Sequence, residues 1–511
     1  MVNSSTIGIL LVMIIYLVGM IVIGLMMAKR NENVSDFYLG GRKLGPFVTA
    51  MSAEASDMSS YLLMGLPGVA YISGVADVGW TAIGLAVGTY LNWLIVAKPL
   101  RRYTERTGSI TLPAFFSDRY QDKNRILMLI AAFIIIIFFI PYTGSGFAAC
   151  GKLFASLFGV NYHTAMIVSA IVIIVYTTLG GFLAASTTDF LQSIIMTVAL
   201  IVILLFGISA AGGMGAVISN ASSLPGYLSM SQTYDAASKT ASAYGPITVL
   251  STLAWGLGYF GMPHILLRFM AIKDDSKLTL SRRVASIWVV ISMGVAILIG
   301  IVGLAMSGNG SIPMLEGSNS ETIIVEISSL LSRHGVIAAI IAGIVLSGIL
   351  AATMSTADSQ LLAASSSITQ NIMHEFFHIK MDQKKMMNVA RLSLLGIAVI
   401  GVVIAWNPDS SVFQIVSFAW AGFGASFGPI VLLALFWRRS NRQGALAGLI
   451  TGGAMVFIWK YLVRPIGGAW NIYELLPAFI LAIVVNVIVS LVTPAPEKAV
   501  TDVYDQVKRM Q

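Results

Sequence analysis

Residues 52–60 read Ser-Ala-Glu-Ala-Ser-Asp-Met-Ser-Ser, and the triplet Gly65-Leu66-Pro67 follows, all inside one apolar stretch from 46 to 72. In a bilayer core about 30 Å thick every backbone polar group needs an internal partner, so such a stretch crosses as helix. Two carboxylates, four serine hydroxyls and a proline in one crossing mark a helix built to be interrupted. A second triplet of the same form, Gly261-Met262-Pro263, lies in the stretch from 247 to 271, and no other of the 15 prolines sits in one. The two stretches are an odd number of spans apart and therefore cross in opposite directions. Gly/Pro-interrupted helices at matching places in two antiparallel halves point to the binding site of a secondary transporter. Gly and Pro are also common in ordinary membrane helices, and it is the pairing that favours a repeat.

The rest of the chain agrees with a membrane setting. Apolar residues make up 57% of the 511 and charged residues 11%, with mean hydropathy +0.85, whereas ordinary globular chains carry about 25% charged residues. The fold class is an all-α polytopic membrane protein. Thirteen spans are predicted near 7–27, 46–72, 78–100, 126–157, 162–185, 189–212, 247–271, 285–307, 336–373, 389–406, 412–438, 443–463 and 473–493. No Lys or Arg precedes the first, so it reads as a span and not as a secretory signal. One transporter domain over 1–511 follows: a leading helix at 7–27, repeat 1 at 46–212 (spans 2–6), repeat 2 at 247–438 (spans 7–11), two additional helices at 443–493 and a tail at 494–511. The first helix of each five-helix repeat is the broken one.

Charge placement sets the orientation. Of the 31 Lys and Arg residues, all but Lys152, Lys239, Arg333, Lys460 and Arg464 fall on one side, including Lys29, Arg30, Arg42, Lys43 and the group from Arg268 to Arg283. The positive-inside rule makes that side cytoplasmic, with the N-terminus outside and the C-terminus in the cytoplasm of a multi-pass cell-membrane protein. The net charge of +8 is thus an orientation signal and not a nucleic-acid footprint. A single cysteine, Cys150, excludes a disulfide framework, and five histidines without an H-x-x-x-H pair leave metal catalysis unsupported. With no nucleophile beside a base and no phosphate loop, the chain is not read as an enzyme. An ion channel would need a polar-lined pore, and a broken antiparallel pair argues instead for alternating access.

An ionisable group inside a span costs at least about 2.5 kcal/mol and is a functional candidate. Asp57 and Glu54 in span 2 are two such groups, and helix capping is the alternative role for Asp57. Span 9 carries a polar run, Ala351-Ala-Thr-Met-Ser-Thr-Ala-Asp-Ser-Gln360. Hydroxyls and unwound carbonyls supply the hard oxygens that a monovalent cation wants, although any single serine also serves helix packing. In span 7, Trp255 and Tyr259 stand four apart on one helical face, an aromatic surface for an aliphatic ring or an ammonium. Asp189, at the start of span 6, and Asp358 with Ser359 in span 9 are expected to approach as two carboxylates around a second sodium or a proton. The alternative is a helix cap for Asp189 and a lysine or hydroxyl partner for Asp358. Arg42, in Gly40-Gly41-Arg42-Lys43, is a cytoplasmic-side candidate among charges that otherwise set orientation.

At these residues the chain resembles the sodium:solute symporter family, and within it the bacterial sodium/proline symporters. The likeness runs over nearly the whole length: the Gly-Gly-Arg turn at 40–42, the motif SAEASDMSSYLLMGLPG from Ser52, PYTGSGFAAC from Pro141, TTDFLQS from Thr187, WGLGYFGMPH from Trp255 and AATMSTADSQLL from Ala351. The resemblance implies sodium as the coupling ion, held by carbonyls of Ala55, Met58 and Ala352 and hydroxyls of Ser355 and Thr356, with Asp57 supporting. It implies L-proline as solute, bound by Ser59, Ser60, Tyr142, Trp255, Tyr259 and Pro263. Another small amino acid, a carboxylate or a sugar on the same fold is the alternative. The chain departs from the family pattern at Glu54, Ser60-Tyr61 and Met262, all beside the expected solute site.

Overall fold

The computed structural model describes residues 4–28 and 34–509; the expected loop charges Lys29 and Arg30 lie outside the described residues. Among the described residues, ten helices are long and apolar enough to cross a membrane. They correspond to spans 1, 3, 4, 6 and 8 to 13. The other three expected spans differ for physical reasons. Spans 2 and 7 are broken, and span 5 contributes only the shorter apolar helix Tyr162–Thr178. Spans 5 and 6 form one 49-residue helical run, Tyr162–Ala210, that turns at Gly181, where φ 67° and ψ −173° suit a residue without Cβ. The helix of span 6 thus begins near 181 and not near 189. Outward-facing Ile15, Leu205, Val290, Leu392 and Val492 are all more than half exposed, as a lipid-facing belt requires.

The loops rich in Lys and Arg meet at one end of the bundle, called here the basic end. Leu44 pairs with residues 271–273 through backbone hydrogen bonds of 3.2 and 2.9 Å, Arg102 meets Asp275 at 2.5 Å, and Arg442 meets Asp122 at 2.6 Å. The C-terminal helix Lys498–Arg509 joins them through Arg438 and Asp505 at 3.0 Å. That guanidinium, donating to both oxygens, holds the Asp505 carboxyl below the usual carboxylate range. At the opposite end Lys152 meets Glu321 at 2.8 Å and the strands Gln232–Asp235 and Thr240–Ala243 form a small hairpin.

Span 9 (Val336–Ser366) is the central column, packed on spans 1, 2, 4, 5 and 6. Spans 3 and 7 approach backbone to backbone, which only glycine permits. A Cβ on Gly88 would lie 2.3 Å from the Gly256 carbonyl oxygen, and one on Gly256 would lie 2.2 Å from that of Gly84. Span 3 widens into a π turn at Asn92–Val96 before continuing as Ala97–Thr107, and the Asn92 amide donates to the Tyr259 carbonyl at 2.9 Å. Gly88→Ala is expected to destabilise the folded protein by about 1–3 kcal/mol, the usual range for overpacking. Thermal unfolding of the purified protein checks this, with Gly294→Ala, where a Cβ meets nothing within 4 Å, as the unaffected control.

Candidate functional site

Span 2 runs as Pro46–Ser60, breaks, and resumes through the π turn Tyr61–Gly65 into Leu66–Ser73. The break is at Ser59, earlier than Gly65-Leu66-Pro67, because the wide turn accommodates the proline that a regular α-helix would have to bend around. Ser59 takes φ 49°, unusual for a residue with Cβ, and its hydroxyl accepts the Tyr61 N–H at 3.1 Å, which helps hold it there. Just before this break, the polar run of span 9 reaches across. The Ser355 hydroxyl donates to the Ala55 carbonyl at 2.9 Å and lies 3.1 Å from the Ala352 carbonyl, which also accepts from Thr356 at 3.1 Å. Four of the five expected oxygens therefore gather in one place. The fifth, the Met58 carbonyl, takes the Tyr61 N–H. The cluster is buried, made of hard oxygens and free of soft ligands, a donor set that fits a monovalent cation.

Asp57 is buried beside it. One carboxylate oxygen accepts the Tyr259 hydroxyl at 2.6 Å, the Asp57 carbonyl accepts the Tyr142 hydroxyl at 3.2 Å, and the second carboxylate oxygen has no partner among the described residues. Glu54 faces span 3 instead, accepting from Thr89 and Trp93 at 3.0 Å each. A narrow polar pocket adjoins the oxygen cluster, with Ser59, Ser60, Tyr142, Thr143, Thr356 and Gln360 in its walls. It is closed too tightly to admit a water molecule, so the walls must part for a solute to enter. The Ser60 hydroxyl and the Gln360 side-chain amide nitrogen have no partners among the described residues, while Gln360 accepts from Thr143 at 3.1 Å.

Trp255 and Tyr259 do not share a face as an α-helix would place them. They lie in the 3-10 segment Ala254–Gly261, where three residues make a turn and positions four apart diverge by about 120°. Tyr259 meets Asp57. Trp255 stacks on Tyr61 and Tyr473 at 5.6 and 5.1 Å and packs on Phe413. Of the six residues expected around the solute, Ser59, Ser60 and Tyr142 line the polar pocket, and Trp255, Tyr259 and Pro263 do not. Span 7 breaks at extended Met262 (φ −75°, ψ 110°), and Pro263 opens Pro263–Ala271 as its first residue, where its missing N–H costs nothing.

Asp189 and Asp358 are both fully buried, but they do not face each other across an ion position alone. Arg268, itself fully buried, stands among their neighbours, donating to Asp189 at 3.0 Å and to Ser359 at 2.6 Å, and the Ser359 hydroxyl lies 3.2 Å from Asp358. Asp189 is therefore neither at the start of span 6 nor a helix cap. The turn at Gly181 puts it eight residues, about 12 Å, into the helix. Toward the basic end Arg42 donates to the carbonyls of Met270, Thr104 and Ser109 at 2.6, 2.9 and 2.8 Å, tying three segments together.

The family model of the sodium:solute symporter family matches residues 37–452. The chain belongs to this family. It is 40% identical to the osmoregulated proline transporter OpuE of Bacillus subtilis over 95% of either chain. It is also 40% identical to the sodium/proline symporter of Escherichia coli, over 95% of this chain and 93% of the other. Among solved structures, a sodium-coupled sialic acid symporter in its substrate-bound outward-open state aligns with TM-score 0.77 and 17% identity, covering 96% of this chain and 99% of that one. The family is one of transporters and not of enzymes, and the chain shares its fold with the sialic acid symporter. Sodium is the family's coupling ion.

Within this family frame, three side chains at the site were missed by sequence reasoning. Arg268 lies inside the stretch 247–271 and yet reads in the sequence as one of the loop charges. Gln360 ends the quoted run of span 9 four residues after Thr356, one helical turn along the same face. Thr143 follows Tyr142 directly but carries no pattern of its own.

Proposed function

We propose that the protein is a sodium-coupled symporter that imports L-proline by alternating access, with its basic end in the cytoplasm and its N-terminus outside. Thr356 carries this reading, because it belongs both to the oxygen cluster and to the wall of the polar pocket. A cation in the cluster and a solute in the pocket would share that residue, so binding of one stabilises the geometry needed by the other. The names of relatives at about 40% identity favour proline among the small solutes. Sodium takes the oxygens of Ala55, Ala352, Ser355 and Thr356, with Met58 able to join when the Tyr61 N–H releases its carbonyl and with Asp57 supplying negative charge. Proline is a zwitterion with an apolar ring. Its carboxylate suits the free Gln360 amide and the Ser60 hydroxyl, and its ring suits Tyr142.

Tyr259 positions Asp57 through the 2.6 Å bond, and Trp255 stacks on Tyr61, the residue that follows Ser60 of the pocket wall. Arg42 braces the basic end near the second half of span 7. Uptake of labelled proline into proteoliposomes under an imposed sodium gradient tests the whole reading. Accumulation is expected to vanish when the gradient is collapsed. Uptake that ignores sodium rejects coupling, and binding of a sugar but not proline by the purified protein moves the assignment to another solute on the same fold.

A further inference from the structure

Four donors of the buried Arg268 guanidinium are directed at oxygen. Nε donates to Ser52 Oγ at 3.0 Å, Nη1 to the His264 carbonyl at 2.9 Å, and Nη2 to Asp189 Oδ2 at 3.0 Å and Ser359 Oγ at 2.6 Å. The Ser52 hydroxyl also donates to Asp189 Oδ2 at 2.7 Å, and Ser359 Oγ lies 3.2 Å from Asp358 Oδ1 and 2.9 Å from the Ser355 carbonyl. Ser52, Asp189, Asp358 and Ser359 are all buried. Take the guanidinium away, and spans 2, 6 and 9 present two hydroxyls and two carboxylates to one another, hard oxygens with two negative charges. That is the composition of a cation site. The Phe182 ring, brought in by the turn at Gly181, covers the guanidinium with its centroid 4.9 Å from Cζ.

We propose that Arg268 is a resident cation: its guanidinium fills a second cation position between spans 2, 6, 7 and 9, so that the chain couples its solute to a single sodium ion, and removing the guanidinium opens a second sodium site. The inference rests on the sodium-coupled reading above. A guanidinium suits the role because it stays charged, is weakly hydrated and presents several donors in one plane. Being covalently part of span 7, the charge cannot leave with the transported ions, and the bond to the His264 carbonyl of the same helix fixes its orientation. The guanidinium pairs directly with Asp189, and Asp358 is reached through the Ser359 hydroxyl, which also meets the Ser355 carbonyl and so connects the group to the oxygen cluster.

Equilibrium binding of radioactive sodium to the purified protein in lipid nanodiscs decides the matter. Wild type and Arg268→Lys, which keeps a cation in place, are expected to bind one ion per chain. Arg268→Ala is expected to bind two, with sodium activation of uptake turning from hyperbolic to sigmoidal. Asp189→Asn added to Arg268→Ala returns the count to one. Two ions on the wild type overturn the inference, and so does a folded Arg268→Ala that gains none. If that variant does not give a cooperative thermal transition, Arg268→Gln is judged by the same criterion. A wild type that binds no sodium overturns the coupling reading, and the gain of one ion in the variant still decides the role of Arg268.

Discussion

In the double variant Ser355→Ala/Thr356→Ala, sodium activation of proline uptake is expected to disappear from the accessible concentration range while the protein still folds. Both hydroxyls lie on the oxygen cluster, and both are bonded to carbonyls of the same cluster. Hydrogen-bond-strength contacts to a charged group contribute about 1.5–3 kcal/mol each. Each single variant should therefore raise the sodium needed for half-maximal uptake about tenfold to a hundredfold, with the two losses compounding. Alanine is a good helix former and both positions are inside span 9, so the fold has little reason to fail. Sodium titrations of uptake in proteoliposomes, beside thermal unfolding of the same samples, separate lost coupling from lost structure. Wild-type sodium dependence in the double variant would remove the cluster from the mechanism.

Asp57 separates charge from hydrogen bonding. Asp57→Asn keeps an acceptor for the Tyr259 hydroxyl and removes the negative charge, so sodium dependence should weaken about tenfold or more while the proline requirement stays near wild type. Asp57→Ala removes both and leaves a buried tyrosine hydroxyl unpaired, which adds about 1–3 kcal/mol to the cost and disturbs the solute pocket as well. Tyr259→Phe keeps the charge and removes only the bond that positions it, so sodium dependence should weaken less than in Asp57→Asn while the proline requirement stays near wild type. Equal damage to sodium and proline dependence in Asp57→Asn would mean that the carboxylate acts through geometry alone.

Those effects depend on features that the chain announces to different degrees. Apolar length, loop charge and the two G-x-P triplets carry the architecture, because each is a local consequence of placing a backbone in lipid. The break in span 7 falls at its triplet. The break in span 2 does not, because the π turn absorbs Pro67 and transfers the interruption to Ser59, a residue whose left-handed backbone no sequence pattern demands. The density of hydroxyls in span 9, together with the family motif, points to an oxygen grouping there, whereas no pattern in the sequence points to Arg268. Its burial depends on Asp189 being carried deep into the bundle by a turn at one glycine, and that turn depends on packing between segments far apart in sequence. Trp255 and Tyr259 diverge for a related reason, since a change from α to 3-10 winding rotates one away from the other without changing a single residue.

The π turn at Asn92–Val96 and the extended Met262 lie at the same level of two neighbouring columns, stitched by Asn92 to the Tyr259 carbonyl. On one side of that level Gly84, Gly88 and Gly256 weld the columns backbone to backbone. On the other, Arg101 of the first column holds the Ile272 carbonyl of the second at 2.7 Å. Spans 3 and 7 are therefore one jointed limb and not two independent rods. A tilt of its lower segment turns both elbows together, and the torsion is taken up beside Tyr259, the residue that holds Asp57.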